Sequence, residues 1–176
     1  MVKAGRFLAY SLFFVLALMY LMPKASIYYF FEEQIKAYAI VINNESVKES
    51  GLGLNVTDAL VFIQSINSAQ IGSIEINVFA LFNTIDINNV TLSSVAAAVM
   101  PLHIHEAHVR HSILNPLEIT IDGEGEAGAF HATFHLLDRL LYLNLKPSES
   151  MLKDYKSTLL NLKRSENGEY VYEKTI

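Results

Sequence analysis

Six histidines are the residues of this chain best suited to chemistry, and all lie between His103 and His135. Imidazole titrates near neutral pH and ligates zinc or copper. His103 and His105 stand two residues apart, and His131 and His135 four, so on extended strands each pair shares a face. These four are the candidate metal ligands. A single site is hard to close from them. If consecutive strands are neighbours, Leu117–Asp122 lies between the two histidine strands, which puts them ~9.5 Å apart at two strand spacings. No cysteine is present to complete a site. Over residues 127–136 the histidines and Thr133 alternate with Phe130, Ala132, Phe134 and Leu136. They are therefore expected to form the polar face of an ordinary amphipathic strand. Metal binding and a pH-responsive or headgroup-contacting face are the alternatives. No resident metal or cofactor is expected.

Other motifs fail on their chemistry. Gly123-x-Gly125-x-x-Gly128 has dinucleotide-loop spacing, but a helix must follow so that its amides meet the pyrophosphate. Here AFHATFHLL follows and alternates like a strand, and Glu124 and Glu126 would repel phosphate. The reading is an Asp-Gly hairpin turn. Asp122, Glu124 and Glu126 have calcium-loop spacing, yet the required Gly and Glu at positions six and twelve are Ala127 and Thr133. His105-Glu106-Ala107-His108 has one spacer residue where a zincin has two. No nucleophile elbow or phosphate loop occurs, so no catalytic residue is expected.

The elements that carry these residues follow from composition and period. The chain has 176 residues, 52% hydrophobic and 18% charged. Charge is regional: +3 over residues 1–24, −9 over 25–140 and +1 over 141–176. An acidic body cannot release counterions from a polyanion, so no nucleic-acid partner is expected. The absence of cysteine also removes disulfides and thiolate chemistry.

Phe7–Met22 (FLAYSLFFVLALMYLM) is uncharged, with Lys3 and Arg6 before it and Pro23 and Lys24 after. As a helix it spans ~24 Å, short of a ~30 Å hydrocarbon core, with flanking cations able to snorkel. It has no polar face, which argues against a buried core helix, and no clean small-x-small cleavage site follows Met22. The expectation is an uncleaved signal anchor over residues 1–25, a single transmembrane helix with its N-terminus cytoplasmic, and residues 26–176 outside. A cleaved signal peptide is the alternative.

Residues 26–176 read as one mostly antiparallel β domain, so the fold class is α+β. In Ser26–Ala39, Ile27, Phe30, Phe31, Ile35 and Tyr38 form a helical stripe, with Ser26 as N-cap. That stripe is expected to pack on the sheet, the alternative being a helix on the bilayer surface. Strands are predicted over 39–42, 53–63, 73–82, 84–92, 102–111, 117–122, 127–136 and 140–145, with 43–51 as a polar turn. A helical turn fits 93–100. One C-terminal helix opens at Pro147 and Ser148 and ends before Asn167, and Tyr170–Thr175 is a closing strand. Ile74, Ile76, Val78, Ala80 and Phe82 alternate on one strand face. With Phe130 and Phe134, the residues Ile74, Ile76, Val78 and Phe82 are the candidate apolar face. Its expected place is the core under the two helices rather than an open groove.

The Met22-Pro23 step, the amphipathic helix after it, the closely spaced strands of IGSIEINVFALFNTIDINNVTL, the Gly-rich turn and LLYLNLKPS together resemble the inner-membrane type II secretion system protein N family and, more distantly, the AsmA-like envelope proteins. The resemblance implies a single-pass bacterial inner-membrane protein with a curved periplasmic antiparallel sheet and an apolar concave face. Its partners would be the bilayer through Phe7–Met22, and envelope or secretion proteins or lipid. Its role would lie in secretion, envelope assembly or lipid handling. The resemblance implies no catalytic residues.

Overall fold

The structure is a computed structural model that describes residues 2–79, 81–165 and 167–175. Helix α1 (Val2–Leu21) ends before Pro23, whose ring cannot continue a helix. Its side chains from Phe7 to Leu21 are largely exposed, Phe7 and Leu8 each at 73%. Helix α2 (Lys24–Lys36) follows directly. The expected cap at Ser26 is not found: Pro23 occupies the N-cap position, and no side chain caps it. The junction is held instead by Lys24, only 5% exposed, whose Nζ donates to the carbonyls of Tyr20 (3.3 Å) and Met22 (3.2 Å). A cation on the last carbonyls of a helix is favoured by its dipole, which explains a buried lysine.

The remainder is one 11-stranded sheet: β1 (Ile40–Asn43), β2 (Ser46–Ser50), β3 (Gly53–Ile63), β4 (Ile66–Val78), β5 (Phe82–Leu92), β6 (His103–Ser112), β7 (Asn115–Gly125), β8 (Gly128–His135), β9 (Leu140–Pro147), β10 (Lys163–Arg164) and β11 (Tyr170–Thr175). Strand order is β1-β3-β4-β5-β6-β7-β8-β9-β11-β10, with β2 also on β3, and every pairing is antiparallel. A 3₁₀ turn (Ser94–Ala98) joins β5 to β6, and short helices α3 (Glu149–Asp154) and α4 (Lys156–Leu159) lie between β9 and β10.

Several boundaries correct the sequence reading. The polar segment 43–51 contains β2, which continues the pairing of β1 on β3 in the same register. The predicted strand 73–82 ends at Val78, so Phe79 and Leu81 belong to a turn; Ala80 lies outside the described residues. The single C-terminal helix is two, broken at Tyr155, which departs from helical geometry (φ −120°, ψ 33°). The Asp122-Gly123 turn is strand: β7 runs on to Gly125, and the chain reverses at Glu126-Ala127. At Gly123 a Cβ would collide with the Phe130 ring and sit 2.9 Å from the Glu106 carbonyl oxygen. The glycine is required by the neighbour across the ladder, not by a turn.

In-register partners share a face, and the faces segregate by polarity. One row reads Leu54, Ile76, Ile85, Val109, Ile121, Ala132, Leu143 across β3 to β9. The adjacent row, on the opposite face, reads Asn55, Glu75, Asp86, His108, Asp122, His131, Asn144. A transverse crease interrupts this order. Asp58, Gly72, Asn89 and His105 lie opposite one another on β3, β4, β5 and β6, and each is skipped by the regular pairing. Asp58 and Asn89 have positive φ (58° and 55°), and His105 is the bulged residue against β7. The extra residue keeps the apolar face apolar on both sides, as in Val56/Ala59, Ile71/Ile74, Ile87/Val90 and Ile104/Ala107.

Two separate buried clusters lie on the apolar face. Leu54, Val56 and Ala59 pack with Ala25 and Tyr28 of α2, and with Ile42, Val47, Ile71, Ile74 and Ile76. Leu145, Met151 and Leu159 pack with Ala127, Phe130, Tyr155, Leu162 and Tyr170. Helix α2 is thus rotated from expectation. Ala25 and Tyr28 face the sheet, whereas Ile27, Phe30, Phe31 and Tyr38 of the predicted stripe are 38–78% exposed. The rotation is fixed at the helix start, where the Ala25 amide donates to Glu49 Oε1 at 2.7 Å.

Candidate functional site

Between the two clusters the apolar face is partly covered: Val90, Ala107 and Ala132 are buried there, outside both clusters. Ile85, Ile87, Val109 and Ile121 are half-buried and belong to neither cluster. A cavity of about 320 Å³ opens where α2 meets the sheet, lined by Met22, Lys24, Ile27, Tyr28, Phe31, Leu54, Ile76, Val78 and Ile85. Its wall is almost wholly apolar. Tyr28 is the polar exception besides Lys24, and its hydroxyl is buried with no hydrogen-bond partner among the described residues. Burial, and after it the nearby Glu45 and Glu32 carboxylates, hold that phenol protonated well above its ordinary value. A second apolar cavity of about 320 Å³ lies under α3 and α4, lined by Met100, Ile104, Phe130, Leu143, Leu145 and Met151 among others.

Five of the six candidate apolar-face residues belong to this side of the sheet. Ile74 and Ile76 join the first cluster, Val78 lines the first cavity, and Phe130 joins the second cluster. Phe134 pairs with Ile119 and Leu141 on the same face. Phe82 does not belong. The turn after Val78 resets the alternation, and Phe82 pairs with Ser112 beside Thr84 and Arg110, on the polar side. The face extends well beyond that set, through Leu54, Val56, Ile85, Val109, Ile121 and Leu143. Cross-strand register, which single-strand alternation does not reveal, joins them.

The polar face carries ion pairs that the sequence reading did not assemble. His108 Nδ1 lies 2.6 Å from Asp86 Oδ1, and His131 Nδ1 lies 2.6 Å from Asp122 Oδ1. Arg110 pairs with the other oxygen of Asp122. The hydrogen bond to Asp86 raises the His108 pKa above its ordinary value, and the Glu106 carboxylate adds to this. The hydrogen bond from His131, with that from Arg110, lowers the Asp122 pKa. These partners sit on adjacent strands, so sequence distance hides them.

The four candidate histidines are not brought together. His103 bonds Thr91 Oγ1 through Nδ1 at 3.2 Å, and His105 sits at the bulge, which breaks the expected shared face of the pair. His131 and His135 do share a face, and β7 separates their strand from β6. Among the described residues no three His, Asp or Glu side chains converge in a metal-holding cluster.

Among the described residues no single helix is long and apolar enough to cross a membrane. Gly5–Leu21 and Lys24–Lys36 reach that length and composition only together, as a pair bent by 59°. Comparison with family models, curated proteins and solved structures finds no match to the chain.

Proposed function

We propose that this is a membrane-anchored, non-catalytic envelope protein. Phe7–Met22 enters the bilayer as a single-pass anchor, the N-terminus is cytoplasmic, and the sheet lies on the periplasmic side of a bacterial inner membrane. The sheet offers an apolar face to lipid chains or to another envelope component, in a role like that of the type II secretion N or AsmA-like proteins. The observation that carries this reading is the half-buried apolar strip Ile85, Ile87, Val109 and Ile121, flanked by two apolar cavities. Contiguous apolar surface that stays accessible marks an interaction or lipid-contacting site, and these four side chains are only half-covered. Phe7–Met22 covers ~24 Å as a helix, with Lys3 and Arg6 preceding it in sequence to snorkel toward the headgroups, and that helix's exposed Phe and Leu side chains have no packing partner in the sheet clusters.

The test uses the full chain in native membranes and a photoactivatable fatty acid. Crosslinks mapped to peptides bearing Ile85, Val109 or Ile121 support lipid contact. Crosslinks to another envelope protein, formed in parallel by a photoreactive amino acid placed at Val109, support the interaction form of the same reading. A C-terminal reporter active only in the cytosol defeats both.

A second reading, a pH-responsive face, is favoured by the alternating row Asp86, His108, Asp122, His131. Metal content and melting temperature of the full chain, with and without His103→Ala/His105→Ala, separate it from the metal-binding form. Metal-linked stabilisation lost in the variant favours metal. Stabilisation that follows pH alone favours the pH-responsive face.

A further inference from the structure

In an antiparallel meander alternate turns fall on one edge, and here one edge stands out. It carries the turns β2–β3, β4–β5, β6–β7 and β8–β9. Exposed turns normally use Gly, Asn, Asp, Ser or Pro, which supply the turn dihedrals and hydrate well. Three of these four tips use large aliphatic residues instead: Leu81 (56% exposed), Ile113 (52%) with Leu114 (85%), and Leu136 (40%) with Leu137 (74%). The tips form one row. The Ile113 amide donates to the Leu81 carbonyl at 3.1 Å, and the Leu136 amide donates to the Leu117 carbonyl at 2.9 Å.

Helix α1 leaves the sheet at this same edge. The nearest side chain to Gly51, in the β2–β3 turn, is the Tyr20 ring at the end of α1. The Ala25 amide reaches Glu49 on the strand entering that turn, and the Val78 amide donates to Leu52 within it. The row of apolar tips therefore continues laterally from the point where the apolar helix ends. The opposite edge places no large aliphatic residue at the centre of its tight turns, Gln64-Ser65 and Glu126-Ala127; its exposed apolar residues there include Ile63 and Ile66, in the strands flanking the first turn, and Val95 and Leu160, in or just beyond helical segments.

We propose that the tips Leu81, Ile113-Leu114 and Leu136-Leu137 insert into the surface of the bilayer that holds α1, so that the sheet stands on the membrane by this edge. The proposal rests on α1 being the anchor. The occupant is lipid rather than a protein because the tips lie beside the emerging helix, where the bilayer surface must be. Arg139 in the last of these loops suits the phosphate layer just above. The first cavity, lined by Met22 and Val78 at this edge, would then open at the lipid surface.

The chain lacks cysteine, so single cysteines report without background. Full-length variants Leu81→Cys, Leu114→Cys and Leu137→Cys are labelled with bimane and reconstituted in phosphatidylethanolamine–phosphatidylglycerol vesicles with or without brominated acyl chains. Leu12→Cys reports the anchor; Gln64→Cys and Leu160→Cys report the opposite edge. The expected result is strong loss of fluorescence at position 12, partial loss at 81, 114 and 137, and none at 64 and 160. Loss at 12 with none at the tips overturns this proposal and leaves the anchor standing. No loss at 12 removes the anchor itself. Equal loss at 160 and the tips shows unspecific adhesion, and tip-to-tip disulfides formed by the unlabelled variants in air, together with no quenching of the labelled ones, show a protein interface. Either overturns the proposal.

Discussion

His108 and Asp122 illustrate how single residues acquire properties from neighbours that are distant in sequence. The His108 pKa is raised, so its pairing with Asp86 stabilises the fold fully below the ordinary histidine value and is lost as pH rises through the raised one. The Asp122 pKa is lowered, so its pairing stabilises the fold above the ordinary carboxylate value and is lost as pH falls through the lowered one. Their joint contribution is therefore greatest between those limits. Both pairs are solvent-exposed, so each contributes about 0.2–1 kcal/mol. Melting temperature followed across about pH 6 to 8, where histidines titrate, should fall with rising pH. Asp86→Asn should flatten that slope; an unchanged slope would refute the assignment. At Gly123 the expected effect is steric. Gly123→Ala forces a methyl group into the Phe130 ring, and overpacking of this kind costs ~1–3 kcal/mol. Urea unfolding of the full chain in detergent measures it. The histidines and glycines were visible in the sequence, but their roles were not. Pairing across a ladder depends on register, and nothing local to Asp122-Gly123 indicates whether the chain turns there or continues to Gly125.

Elements were legible where period and punctuation agreed. β3 matches its predicted limits of Gly53 and Ile63, where Gly51 precedes it and Gln64-Ser65 follow, and β11 matches Tyr170 and Thr175, starting just after Asn167-Gly168. The predicted strand 73–82 overran because Val78, Ala80 and Phe82 continue an alternation that the backbone does not follow. The aliphatic turns, with Leu81 and Ile113-Leu114 in place of the usual residues, hid the punctuation. Helix α2 matches its predicted face only in part: Ile27 and Phe31 of the stripe line the first cavity, but Ala25 and Tyr28 make the buried contacts, and Phe30 and Tyr38 are exposed. At the other end, Ser148 caps α3 as its position suggested: its Oγ accepts from the Met151 amide at 3.2 Å and donates to the Glu126 carbonyl at 2.6 Å. Ser148→Ala should cost about 1 kcal/mol. Hydrogen exchange should show the loss at the Met151 and Leu152 amides and in the Glu126-Ala127 turn. Loss confined to neither would mean that the cap contributes nothing.

At the scale of the whole molecule, α+β with a mostly antiparallel sheet was readable, since short connections leave no room for parallel crossovers. The division of the apolar side into two clusters was not, because it depends on where the helices dock. Leu54 is 2% exposed, and Leu54→Ala should destabilise by ~2–5 kcal/mol. Separate clusters predict a local effect: faster hydrogen exchange in β1 to β4 with β8, β9 and β11 little changed. Leu145→Ala should give the converse pattern. Uniform acceleration in both variants would mean that the sheet opens as one unit. The crease adds a different consequence. Sliding one strand past its neighbour by two residues would preserve inside-outside polarity, so polarity alone does not forbid it. With Asp58, Gly72, Asn89 and His105 aligned, any such slip sets an irregular residue against a regular one and breaks the alignment. The four residues act as a key cut across the strands, which lets so long a meander assemble in a single alignment although its neighbouring apolar residues are nearly interchangeable.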